Sequence, residues 1–414
     1  MPIPAPIRPA GTLTAILLCA AATSLLAAPA LAQDGQAVVN QVQLGDVFSQ
    51  QTLNVDSASN GATAAATSVG NSATATGSGA ALLYQGAQEV NADVQASSAA
   101  SVGGGGPGVY VTSSATGNTA TAGTCCATTS GASVQTIDGY HQVKATSDAE
   151  VGAASQVSVD SAAVGNTQGW EPVNGPLVAS VAQTHLGTTD AETTASVGAA
   201  DTAGYSATSV GNNVTVDATN ASVDLTASQA AYGYATQAFV TADQGGGGGG
   251  DVAAAATASA NNINVTSDGG AVNLASDQLS GKPVTAAASL SLGEWSGGAT
   301  VSAYGVANSA LVSNSGAAVG MTAEQTSEGP VIVTATLTGG AGGDGLASAT
   351  GVGNAVTGSA CGACNGVVRA NTTQTSSGGV SATSTVNGGA LTSATGSASA
   401  VGNTASFIVQ KPAG

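Results

Sequence analysis

The 414-residue chain has only 7% charged and 3% aromatic residues, 59 glycines and a formal net charge of −18. Such a composition excludes an ordinary core of Leu, Ile and Phe, and the acidic surface disfavours nucleic acid and anionic lipid while attracting cations or a cationic polymer. Disorder fits poorly as well, because mean hydropathy is positive and the β-branched residues Val and Thr are abundant.

The amino terminus reads as an export signal: Arg8, an apolar run from Leu13 to Leu26, then Pro29-Ala30-Leu31-Ala32 before Gln33. Residues 1–32 are therefore expected to be removed, leaving 33–414 as one domain. Cys19 follows Leu17 and Leu18, where a lipobox needs a small residue, so a lipid anchor is not expected. Without Arg8, four basic residues face 23 acidic ones, a formal charge of −19.

The remainder is repetitive, with a period of about 47 residues. A Gly-Asn pair returns at Asn71 (ATSVGNSATAT), Asn118, Asn166, Asn212, Asn354 and Asn403, with degenerate copies at Asn261-Asn262 and Ala307-Asn308. A second series runs in phase with it: Gln41, Gln88, Gln135, Gln183, Gln229, Gln278, Gln325 and Gln374. Two locked series define eight units. Around Asn71 the residues alternate, Val69, Asn71, Ala73 and Ala75 on one side and Gly70, Ser72, Thr74 and Thr76 on the other, a period of two that predicts strands.

A buried Asn in such a strand is costly alone. Copies stacked about 4.8 Å apart would let each amide bond the next, as in cross-β ladders, and a slipped rung would leave amides unpaired. The sequence thus predicts an all-β solenoid of eight units with an Asn and a Gln ladder. It leaves open one coil per unit, rising about 38 Å in all, or two, rising about 75 Å. An exposed Gly-Asn turn is the competing reading of the Asn series. The Gly-rich stretches 103–106, 245–250 and 339–345 read as loops.

Cys125-Cys126 and Cys361-Gly-Ala-Cys364 each begin seven residues after a repeat Asn, in the second and seventh units. They are too far apart to join each other, and local disulfides within each loop suit an exported protein. The CxxC pair lacks the βαβ setting of a redox motif and the converging ligands of a zinc site. One match to a calcium-binding nonapeptide, GGAGGDGLA at 339–347, is expected to bind nothing, because such sites need tandem copies. His141 and His185 have no nucleophile partner in a recognisable motif. A polysaccharide lyase or glycosidase on this scaffold would need clustered carboxylates, a Lys or Arg base and an aromatic-lined groove. No catalytic residue, cofactor or metal is expected, and the chain is not expected to be an enzyme.

The opening VVNQVQLGDVF (Val38 to Phe48), with ATSVGNN, AAVGNTQG and the spaced glutamines, resembles the holdfast anchor family HfaD over nearly the whole exported chain. That resemblance implies a secreted, outer-membrane-associated protein that attaches an adhesive polysaccharide to the envelope together with other holdfast-anchor proteins. The chain ending at Phe407 to Gly414 shows no β-barrel, so attachment is expected to run through partners. Ionic contact between the acidic solenoid and a cationic glycan is a further expectation. A curli-like fibre subunit or generic adhesin is the alternative, with Lys411-Pro412 discouraging end-to-end addition.

Overall fold

The computed structural model describes residues 35–247, 250–361 and 366–410, and within them the chain is all β with parallel strands. Val, Thr, Ala and Ser dominate these strands, residues small or β-branched enough to pack on a pleated surface. The first wall is a sheet of eight strands in strict chain order, opening with Gln36–Gln43, Leu82–Val90 and Thr129–Ile137 and closing with Val319–Ser327 and Val368–Ser376. The second wall follows, as in Val47–Ser57 and Val94–Gly104, and then the third, as in Ala62–Ser78 and Val109–Cys125. In four coils these two run on as one strand: Gln142–Trp170, Thr188–Thr219, Val331–Cys361 and Val380–Gln410.

Register settles the coil question. Gln36 pairs with Leu83, Leu82 with Thr129 and Asn71 with Asn118, so one repeat is one wide coil of three walls. Each strand of the first wall opens one coil, and coils are numbered below by that order. The chain turns from the third wall to the next coil through left-handed residues, among them Asn174 (φ 52°) and Asn220 (φ 49°), a conformation that Asn tolerates better than most side chains.

The alternation read from the sequence holds on each half of the third wall but breaks between them. In coil 2 Val109, Val111 and Ala115 point inward, Gly117 and Asn118 are both buried, and Ala120 and Ala122 continue inward with the opposite parity. Val69, assigned to the interior by unbroken alternation, is consequently only half-buried. The strand bends at Gly117, where a Cβ would lie 2.6 Å from Ile137 Cδ1 and 2.7 Å from the Gly165 carbonyl oxygen. A glycine hides this bend from sequence reading because it has no side chain to show a direction.

The bend divides the interior into two apolar lobes. One is built from the second wall, the first half of the third and the end of the first, with Val90, Val94, Val143, Val284 and Val331. The other sets the start of the first wall against the second half of the third, with Leu177, Val214, Leu225, Ile263 and Val265. Trp170 fills the second lobe and meets Tyr84 edge to face at 5.8 Å, a favourable aromatic geometry. Burial pushes the Tyr84 hydroxyl up to about 12.

The Gly-rich stretch 339–345 is strand rather than loop, lying within Val331–Cys361. Its glycines make room for the buried Trp295, since a methyl at Gly339 or Gly342 would run into the indole. Gly342→Ala is expected to cost about 1–3 kcal/mol by overpacking, measurable as a lower midpoint of urea unfolding. An unchanged midpoint would show that the indole has space to move.

Candidate functional site

Between the two lobes runs a double spine of side-chain amides. Each Asn donates to the Asn Oδ1 of the following coil: Asn71 to Asn118 at 2.9 Å, Asn118 to Asn166 at 2.8 Å, Asn166 to Asn212 at 2.8 Å and Asn212 to Asn261 at 2.9 Å. The series goes on from Asn261 to Asn308 at 2.8 Å, to Asn354 at 2.8 Å and to Asn403 at 2.7 Å. The fifth member is therefore Asn261, which corrects the sequence assignment of Asn262. Asn261 is fully buried, whereas Asn262 lies on the opposite face of the strand and bonds Asn213 at 2.8 Å. The reason is the local parity: Asn212 pairs with Asn261 across the sheet, and Asn213 with Asn262.

The Gln series runs the other way. Gln88 donates back to Gln41 at 2.7 Å, Gln135 to Gln88 at 2.8 Å and Gln183 to Gln135 at 2.7 Å. Gln229, Gln278, Gln325 and Gln374 continue it at 2.8, 2.7, 2.6 and 2.9 Å. The second amide hydrogen of each crosses to the facing wall. Asn118 donates to the Thr136 carbonyl at 2.9 Å and Gln135 to the Thr167 carbonyl at 2.8 Å, a pattern repeated along the stack. Both hydrogens of each buried amide thus find acceptors, so the desolvation penalty is offset and the spine locks the walls in register. Because amide dipoles point forward in one ladder and backward in the other, they compensate each other.

The remaining sequence candidates are dispersed. Cys125 and Cys126 are bonded to each other where coil 2 leaves its third wall. Cys361 ends the strand Val331–Cys361, and Cys364 lies outside the described residues. The export segment 1–32 and Lys411-Pro412 also lie outside them. His141 is partly exposed, with Nδ1 3.4 Å from Asp93.

His185 is fully buried at the end of the first wall, and its Nδ1 meets the amine of Lys282, also fully buried and two coils further on. Lys282 donates to the Gly187 carbonyl at 3.4 Å, and His185 Nε2 lies 3.2 Å from Thr189 Oγ1. Desolvation lowers both bases well below their ordinary values, and the lysine adds to the effect on the histidine. Sequence reading did not find this pair, whose members are 97 residues apart. Lys144 behaves in the opposite way: burial alone would lower it, but Asp190 at 3.0 Å and Glu192 at 3.2 Å hold it above its ordinary value.

Parallel coils and a satisfied amide spine define a β-solenoid whose repeat is a single broad coil. Residues 56–331 match the family model for holdfast attachment protein D, and the chain belongs to that family, HfaD. No curated protein and no solved structure matches the chain. The family places the chain in a holdfast attachment role at the cell surface.

Proposed function

We propose that this chain is the envelope-side element that holds an adhesive polysaccharide at the cell surface, exported by its amino-terminal segment and retained at the outer membrane by other holdfast-anchor proteins. Membership of the holdfast attachment family carries this reading. The fold supports it: a register-locked solenoid keeps its outer rows of side chains fixed, so many weak contacts to a repeating polymer act together. The 23 acidic residues supply ionic contacts to any cationic groups of the glycan. Deleting the gene in its host is expected to leave adhesive polysaccharide synthesised but shed into the medium. Full retention on the deleted cells would refute the anchor.

Uncovered strand edges favour one second reading. Among the described residues the first and last coils each pair on one side only, a geometry open to end-to-end addition. A curli-like fibre subunit would sediment as filaments after purification, whereas an anchor stays monomeric.

A further inference from the structure

The corner between the first and second walls is built the same way in most coils. Val90 pairs with Ile137 and Val94 with Val143, so Asn91 and Ala92 make the coil 2 corner beside Asp93. Leu186 and Gly187 do the same in coil 4, and Gly281 and Lys282 in coil 6. Two coils depart from this. Ile137 pairs with His185 and Gln142 with Thr188, so in coil 3 four residues, Asp138-Gly139-Tyr140-His141, stand opposite Leu186-Gly187. Likewise Ala231 pairs with His185 and Thr189 with Thr236, so in coil 5 four residues, Tyr232-Gly233-Tyr234-Ala235, stand opposite Leu186-Gly187-Thr188, one more than in coil 4. Both enlarged corners contain Gly-Tyr, and Gly233 takes a left-handed φ of 96° that favours glycine.

These insertions expose their aromatic rings. Tyr140 is 86% exposed and Tyr234 61%, in a chain with only seven tyrosines. A tyrosine this exposed contributes little to folding, and loop insertions on a rigid scaffold are common binding positions. The corner of coil 4 between them is short, so the two rings stand as separate platforms two strand spacings apart, about 9.6 Å. That distance is close to the length of two sugar units in an extended chain. Polar groups border the first platform: the His141 imidazole against Asp93, and Gln95 Nε2 3.2 Å from Asp93 Oδ2.

We propose that Tyr140 and Tyr234 form a two-platform site for an extended polysaccharide, which stacks every second pyranose ring on a tyrosine while its hydroxyls bond Asp93, His141 and Gln95. The negative face of an aromatic ring attracts the slightly positive C–H face of a pyranose, and carboxylate, imidazole and amide groups match the hydroxyls at the ring's edge. A protein partner would favour a continuous apolar patch, whereas separated rings with a polar border match a repeating chain of rings. This inference rests on the polysaccharide-holding reading above and specifies its surface.

The test measures binding of purified exported chain to the host's isolated adhesive polysaccharide. It is run in about 1 M salt, where ionic contacts are screened. The double exchange Tyr140→Ala, Tyr234→Ala is expected to weaken binding at least tenfold with the circular dichroism of the folded chain unchanged. Tyr140→Trp, Tyr234→Trp should restore it, and Tyr304→Ala, at an exposed ring on the third wall, should leave it unaltered. Equal binding by the double alanine variant would overturn the site and leave the attachment reading standing. No binding by the unaltered chain at that salt would also overturn the site. Shedding by the deleted cells would then assign attachment to ionic contacts or to a partner protein.

Discussion

Asn212→Ala is expected to destabilise the solenoid by roughly 3–6 kcal/mol, because it breaks three buried hydrogen bonds and leaves groups on two coils unpaired, each worth about 1–3 kcal/mol. The Asn166 amide loses its acceptor, and Asn261 Oδ1 and the Ala230 carbonyl each lose a donor. The same exchange at Asn403 is expected to cost less than about 1 kcal/mol, since that amide is exposed and water replaces its partners. Asn212→Asp should be worse than alanine near neutral pH, with a carboxylate facing the acceptors that Asn212 now serves, and should recover as acid protonates it. Urea unfolding followed separately at Trp170 and Trp295 reads both sides of the damaged rung. Equal midpoints for the variants at positions 212 and 403 would show that the spine contributes nothing beyond solvated amides.

The extent of that loss explains why the fold was legible at a distance. An amide stack needs the same residue at the same place in every coil, so the Asn and Gln series survive in the sequence where the Ala, Ser and Thr around them drift. Parallel coils, spaced strands and the two ladders all follow from those series. The single misplaced member, Asn262, sits in an Asn-Asn pair, where composition offers two candidates and only strand parity chooses between them. That parity was unreadable because the preceding bend carries no side chain at Gly70, Gly117, Gly165 and Gly211, and only a methyl at Ala260 and Ala307.

The features that sequence reading missed have a different origin. Gly339 and Gly342 resemble part of a calcium loop, yet their lack of a Cβ accommodates Trp295, a residue more than forty positions earlier. Tyr140 and Tyr234 stand out only once the register shows that their corners contain extra residues. In the sequence such insertions are only small irregularities of the repeat spacing, although on a solenoid an insertion at one corner always emerges on the same edge of the stack.

Lys282 and His185 extend this to pH. Lys282 is the only base whose amine enters the interior among the described residues, and none of the ion pairs found there involves it. Burial holds its pKa well below 10.5, so between that lowered value and 10.5 the unfolded chain binds a proton that the folded chain does not. Stability must then rise with pH across this window, by at most about 1.4 kcal/mol per pH unit for one proton, and level off above it. His185 acts with the same sign, but only below its ordinary value of 6.5. Replacing one partner would leave the other buried and unpaired, whereas replacing both with apolar residues removes the penalty. The double exchange Lys282→Met, His185→Leu is therefore expected to be more stable than the parent at neutral pH, with the advantage shrinking as pH approaches 10.5. Thermal unfolding of both chains across that range measures the difference. An advantage that stays constant or grows with pH would show that the lysine keeps its proton inside the fold.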